Sequence, residues 1–158
     1  MKIGSSGFLE NRKEHLCKFP QMAKEQRWFH LGIDLDMKAG EPVLVPIDGV
    51  IVLSEYEQGD GNYGGMCVLQ CEHEGSAIYI IFGHLAIASL PKAGEKFRKG
   101  EQIATIGTRE ENGNWFEHLH IQELTQKGFD NGWVYKGYCS QREIDGLDEF
   151  CINPSFVI

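Results

Sequence analysis

The stretch Glu117-His118-Leu119-His120-Ile121-Gln122 decides how the rest of the chain is read, because it sets two imidazoles two residues apart. Side chains alternate across a strand, so an extended reading sends Leu119 and Ile121 into a core and turns His118, His120 and Gln122 together to the opposite face. Two imidazoles on one face are the start of a metal site, but a lone His-x-His pair fits an ordinary half-polar strand as well. Further ligands have to come from elsewhere in the chain.

Upstream, the run Ile78-Tyr79-Ile80-Ile81-Phe82-Gly83-His84-Leu85 leaves a hydrophobic strand through a glycine and a histidine, the way a rigid element presents a reactive side chain. Further back, His30-Leu31-Gly32-Ile33-Asp34-Leu35-Asp36 alternates, with Leu31, Ile33 and Leu35 apolar and His30, Gly32, Asp34 and Asp36 on the other parity. A helix would also align His30 with Asp34, but Gly32 and the alternation favour a strand. In an extended chain the two are about 13 Å apart at the backbone, so both reach one ion only by converging over the vacant side of Gly32.

Composition bounds the rest. At 158 residues and 42% hydrophobic, the chain is the size of one domain with a real core. A net charge of -8 from scattered acids argues against a nucleic-acid surface or a polybasic membrane patch. No 18-residue apolar run and no basic-then-apolar leader occur, so membrane insertion is not expected and the chain as given reads as cytoplasmic. Gly4-Ser5-Ser6-Gly7 reads as a cloning scar; a removed export signal would instead make the protein extracellular or periplasmic. The five cysteines are odd in number without a C-x-x-C pair, so they are expected reduced, Cys67 and Cys71 as core residues, with no support for a Cys139–Cys151 bridge.

Residues 1–26 read as a peripheral arm, packed on through Trp28 and Phe29, with His15 solvated. Val43–Pro46 and Val50–Leu53 read as a short hairpin, and Glu57–Gly65, with four glycines, as a loop long enough to overhang a cleft. Strands follow at 66–72 and 77–84 around a turn beside His73. Ala93-Gly94-Glu95-Lys96-Phe97 echoes Ala39-Gly40-Glu41-Pro42-Val43, a hint of a duplicated β unit. Residues 125–158 read as a surface extension with no helix longer than Gln141–Phe150 and an extended Asn153–Phe156.

Three β segments therefore deliver His30 with Asp34, His84, and His118 with His120. Two imidazoles and one carboxylate are an established catalytic zinc shell that leaves a fourth position open. Two histidines remain for proton transfer and for hydrogen-bonding an oxyanion.

In this order and context, His30-x-x-x-Asp34, Gly83-His84-Leu85 and His118-x-His120 resemble the motifs of the M23 zinc metallopeptidases, the lysostaphin and LytM-like endopeptidases, over about residues 27–124. The resemblance implies a mainly β, duplicated-hybrid-motif barrel-sandwich with an open active-site groove. It implies Zn2+ held by His30, Asp34 and His120, with His84 and His118 catalytic, acting on a peptide or peptidoglycan-derived substrate that includes glycine-containing bonds. Residues 27–124 would be the core, 1–26 an arm and 125–158 an extension on the same domain. The approach Glu111-Asn112-Gly113-Asn114-Trp115-Phe116-Glu117 departs from the small, Gly-Ser-rich approach of secreted members and is closer to M23 segments fused to other domains, which leaves the bond cleaved open. A non-catalytic M23-like binding module is the first alternative. A phosphocarrier resembling the sugar phosphotransferase IIA domains is the second, using His30 and His84; a lipoyl-type carrier at Lys38 is weaker still.

Overall fold

The computed structural model describes residues 7–157; the proposed scar falls outside this range except for Gly7. Helices are short, α1 (Lys13–Leu16), α2 (Pro20–Glu25) and α3 (Gln126–Asp130), and the remainder is strand and turn. The strands are β1 (Phe29–His30), β2 (Gly32–Asp36), β3 (Pro42–Leu44), β4 (Gly49–Glu57), β5 (Gly64–His73), β6 (Ser76–Leu85), β7 (Lys96–Phe97), β8 (Gln102–Thr105), β9 (His118–Thr125), β10 (Tyr138–Cys139) and β11 (Cys151–Ile152). All pairing is antiparallel. The main sheet runs β11-β9-β6-β5-β4-β7, with β2 also on β9, and β1–β10 and β3–β8 form two small ladders.

Alternation explains why the main sheet is buried on both sides. Cys67, Leu69, Cys71, Ile78, Ile80, Phe82, Leu119 and Ile121 enter one core with Val43, Ile51 and Ile103. Met66, Val68, Tyr79 and Ile81 enter a second, covered by Trp133, Val134, Cys139, Leu147 and Cys151 from the C-terminal extension. The extension is thus the second wall of the domain, which a run of short strands and 3-10 turns can supply without a long helix. Gln141–Glu143 and Leu147–Glu149 are separate 3-10 turns, and Pro154–Val157 is another where extended chain was expected.

The Ala-Gly-Glu echo is a repeat down to its hydrogen bonds. Glu41 N donates to Lys38 O at 3.0 Å and Glu95 N to Lys92 O at 3.1 Å. The glutamates return the bond, Lys38 N to Glu41 Oε2 at 3.2 Å and Lys92 N to Glu95 Oε1 at 2.8 Å. Gly40 and Gly94, at φ 85 and 94, make the left-handed turn. The expected β3–β4 hairpin does not form. β3 pairs with β8 of the second copy, and β4 with β7, so the two copies exchange partners. Local turn chemistry was visible in the sequence, but the pairing partner is set by burial of Val43 and Ile103 in a shared core.

The N-terminal arm is integrated rather than peripheral. Leu16 and Met22 are buried with Trp115 and Tyr138, and Asn11 bridges Phe29 beside β1. All five cysteines are free, with Cys17 exposed and the others buried. Among the described residues no helix is long and apolar enough to cross a membrane.

One core position is electrostatically frustrated. Both carboxylate oxygens of Glu123 are buried without a hydrogen-bond partner, and burial raises its pKa to about 7. The folded pKa lies above the unfolded one, so ionisation opposes folding, and stability falls as pH rises from about 4.5 through 7. Glu123→Gln is expected to raise the melting temperature by several degrees at pH 8, on the order of 2 kcal/mol. The gain should shrink towards pH 4.5 in thermal melts across that range; a gain equal at both pH values would contradict the assignment.

Candidate metal centre

Register builds the site. β2 and β9 pair so that Gly32, Asp34 and Asp36 lie opposite Gln122, His120 and His118, and β6 sets Gly83 opposite His120. Cross-strand neighbours on one face are in side-chain contact, so Asp34 and His120 meet directly. His30 joins them because β1 ends at His30 and β2 begins at Gly32, breaking the strand at Leu31. A Cβ on Gly32 would lie 2.6 Å from His120 Cε1 and 2.8 Å from its Nε2, so the space left by Gly32 holds the His120 ring.

His30 Nε2, His120 Nδ1 and Asp34 Oδ1 converge: 3.1 Å between the nitrogens and 3.2 Å from each to the oxygen. A tetrahedral zinc shell with bonds of about 2.0–2.1 Å spaces its ligand atoms about 3.3 Å apart, which this triangle fits. Proton accounting points the same way. Gln122 Nε2 donates to Lys136 O at 2.8 Å, which turns Oε1 to His120 Nε2 at 2.9 Å and makes that nitrogen the proton carrier. Tyr63 hydroxyl donates to the same Oε1 at 3.1 Å. His30 Nδ1 lies 3.2 Å from Gly7 O and 3.1 Å from Arg12 Nη2, and the tautomer that donates to Gly7 O leaves Nε2 bare. In that tautomer no proton remains between the three converging atoms, so three lone pairs face one point, which suits a cation.

His84 and His118 stand beside this point with ring centroids 4.3 Å apart. Each is pinned through Nδ1–H to a main-chain carbonyl, His84 to Asn112 at 2.8 Å and His118 to Phe116 at 2.7 Å, leaving Nε2 unprotonated. His84 holds φ 66, a strained backbone for a non-glycine residue. Burial lowers the pKa of His84 well below the ordinary histidine value, with His118 and His120 adding to the effect, and burial also lowers His118 and His120. Burial alone would raise Asp34, but the imidazoles of His30, His120 and His118 hold it well below the usual carboxylate range.

All five residues singled out in the sequence are therefore brought together. His15 and His73 are not among them: His15 is exposed, 5.8 Å ring to ring from Trp115, and His73 sits beside its turn. Sequence reading missed Arg12, whose Nη2 lies 2.9 Å from Asp34 Oδ2 and whose Nη1 donates to Tyr138 hydroxyl at 3.1 Å. No spacing rule links it to Asp34. Tyr63, between the rings of His84 and His120 at 6.0 and 5.2 Å, comes from the glycine-rich loop. A cleft of about 610 Å³ opens over Asp34 and His118, walled by Arg12 and His15 on one side and Phe116 on the other. Phe116 is exposed and stacks on His118 at 4.5 Å.

Residues 28–130 match the sequence model of peptidase family M23. An uncharacterized metalloprotease of Haemophilus influenzae is 36% identical over 78 residues, covering 49% of this chain and 15% of that protein, so the chain spans only a small part of that relative. Among solved structures, the catalytic domain of the antimicrobial peptidase lysostaphin from Staphylococcus simulans superposes with a TM-score of 0.51 at 24% identity over 77% of this chain and 80% of that one. LytU gives 0.52 at 22%, covering 77% and 74%. A catalytic-domain mutant of the prophage-encoded M23 protein EnpA from Enterococcus faecalis gives 0.52 at 17%, covering 71% and 75%. These likenesses establish a shared fold.

Gln122→Leu removes the acceptor that orients His120 while keeping an apolar side chain of similar reach. Zinc affinity measured by chelator competition is expected to fall about 10–100-fold with the fold intact by circular dichroism; unchanged affinity would remove Gln122 from the site.

Proposed function

The chain belongs to peptidase family M23, and from that premise we propose that it is a zinc-dependent endopeptidase in which His30, Asp34 and His120 hold the metal and His84 and His118 are catalytic. The observation that carries this reading is the convergence of three donor atoms on one point beside two imidazoles whose Nε2 atoms are left unprotonated, that of His118 lying 3.6 Å from Asp34 Oδ1. Zinc bound there would supply Lewis acidity, lowering the pKa of a coordinated water to about 7 and polarising a carbonyl.

The chain's own groups account for the proton traffic. Both catalytic imidazoles are held neutral by burial with Nε2 as acceptor, so either can take a proton from an attacking water. Neither can donate to an oxyanion in that tautomer. The imidazole that has accepted the proton becomes the donor, able to hydrogen-bond the tetrahedral oxygen or hand the proton to the departing amine. Main-chain bonds to Asn112 and Phe116 keep both rings aimed throughout.

The substrate in this reading is a peptide lying in the cleft between the arm and Phe116, with glycine-containing or peptidoglycan-derived peptides the first class to try. Residues 27–124 form the peptidase core, and the arm and extension complete it. A phosphocarrier is disfavoured by Asp34 Oδ1 at 3.2 Å from His30 Nε2, where a carboxylate would repel a phosphoryl group. A non-catalytic module would not need all five groups.

Elemental analysis should find about one zinc per chain, lost in His120→Ala and Asp34→Ala. His84→Ala and His118→Ala should keep the metal and lose hydrolysis of a panel of glycine-rich and cell-wall peptides by at least about 100-fold. Zinc-free wild-type protein after metal is added and excess removed would sink the proposal. Because burial lowers both catalytic histidines, the acid limb of kcat/KM is expected below pH about 6.5, the ordinary histidine value. A limb above it would exclude neutral His84 and His118 as the bases.

A further inference from the structure

The bond that the proposed chemistry does not use is the one made by the N-terminal arm. Asp34 divides its oxygens: Oδ1 faces His30 and His120 at 3.2 Å each, while Oδ2 takes Arg12 at 2.9 Å. Arg12 Nη2 also lies 3.1 Å from His30 Nδ1; with a cation at His30 Nε2 the proton sits on Nδ1, which then donates to Gly7 O and leaves Asp34 as the acceptor of Arg12. The guanidinium is held from several sides. Its Nη1 donates to Tyr138 hydroxyl at 3.1 Å, and its main-chain N donates to Trp28 O at 2.8 Å. Tyr138 is in turn the β10 partner of His30, and buried Leu16 anchors α1 directly after Arg12.

We infer that Arg12 is a positioning residue that restricts Asp34 to one-oxygen ligation of the bound cation, keeping a coordination position open for an incoming oxygen ligand. The inference rests on the zinc-peptidase reading. A carboxylate free at both oxygens can swing to chelate a cation through the pair, filling a position that catalysis needs empty. A charge-assisted N–H···O bond to Oδ2 opposes that swing, because turning Oδ2 away would leave a guanidinium with a 13% exposed side chain only the more exposed Glu10 carboxylate, 3.8 Å from its Nε. Oδ1 meanwhile stays turned towards the imidazoles of His30 and His120. Lysine could not replace arginine here, since one ammonium cannot span Asp34 and Tyr138 as the planar fork does.

The test uses the full chain with Co2+ in place of zinc, because four-coordinate Co2+ absorbs visible light much more strongly than five-coordinate Co2+. Arg12→Met should still bind one Co2+ per chain but show a visible band weakened severalfold, with kcat reduced about tenfold or more and KM within about twofold. Arg12→Lys should give an intermediate band. Melting of the metal-free variants identifies any loss of fold, in which case Arg12→Lys carries the test. A wild-type spectrum in folded Arg12→Met, or wild-type spectrum and kcat in Arg12→Lys, would overturn the inference. Wild-type protein that binds no Co2+ would overturn it together with the zinc reading. A wild-type Co2+ protein that cleaves no peptide, with Arg12→Met still altering the spectrum, would uphold the positioning role and reject the peptidase.

Discussion

The register between β2 and β9 is the constraint on which the rest depends. It sets Asp34 opposite His120 and Asp36 opposite His118 while Ile33 and Leu35 face Ile121 and Leu119 on the other side. A slip of β2 by one residue, with β9 held by β6, would turn Asp34 into the core and Ile33 and Leu35 towards the imidazoles. The burial of four aliphatic side chains therefore also aligns the polar site, and packing and chemistry are specified by a single choice. Gly32 belongs to the same constraint, since the His120 ring lies where any larger residue would extend.

Around that register the polar groups are arranged so that each imidazole has one defined use for each nitrogen. Gln122 and the carbonyl of Gly7 can take the protons that would otherwise fall between the converging atoms, and the carbonyls of Asn112 and Phe116 take those of His84 and His118. These partners come from the arm, from the approach to β9 and from β9 itself. The extension contributes Lys136 O, which fixes the Gln122 amide, and Tyr138, which steadies Arg12. The arm thus touches the site residues themselves, and the extension steadies them through Gln122 and Arg12.

What was legible in the sequence was whatever parity and turn chemistry control. The alternation in residues 30–36 and 118–122 marked four of the five site residues, the strand end at Gly83-His84 marked the fifth, and the paired Ala-Gly-Glu turns announced the duplication. Partner choice was not legible, because the turn before β3 looks the same whether the strand returns to β4 or crosses to β8, and only a shared core decides. Arg12 was illegible for a related reason: it precedes Asp34 by 22 residues in a stretch without periodicity, and its contact exists only after the arm has folded back along β1. Glu123 sits at a core parity that alternation would have assigned to an apolar residue.

The exchange of partners between the two turn–strand copies has a consequence for synthesis. Neither copy can complete its ladder from its own residues, and His30 and Asp34 wait on a partner 90 and 86 residues downstream. A chain emerging from the ribosome therefore exposes two of the three clustered residues early and cannot close the cluster until β9 has left the exit tunnel. Until that moment the nascent protein has neither a sealed sheet nor a finished His30–Asp34–His120 cluster.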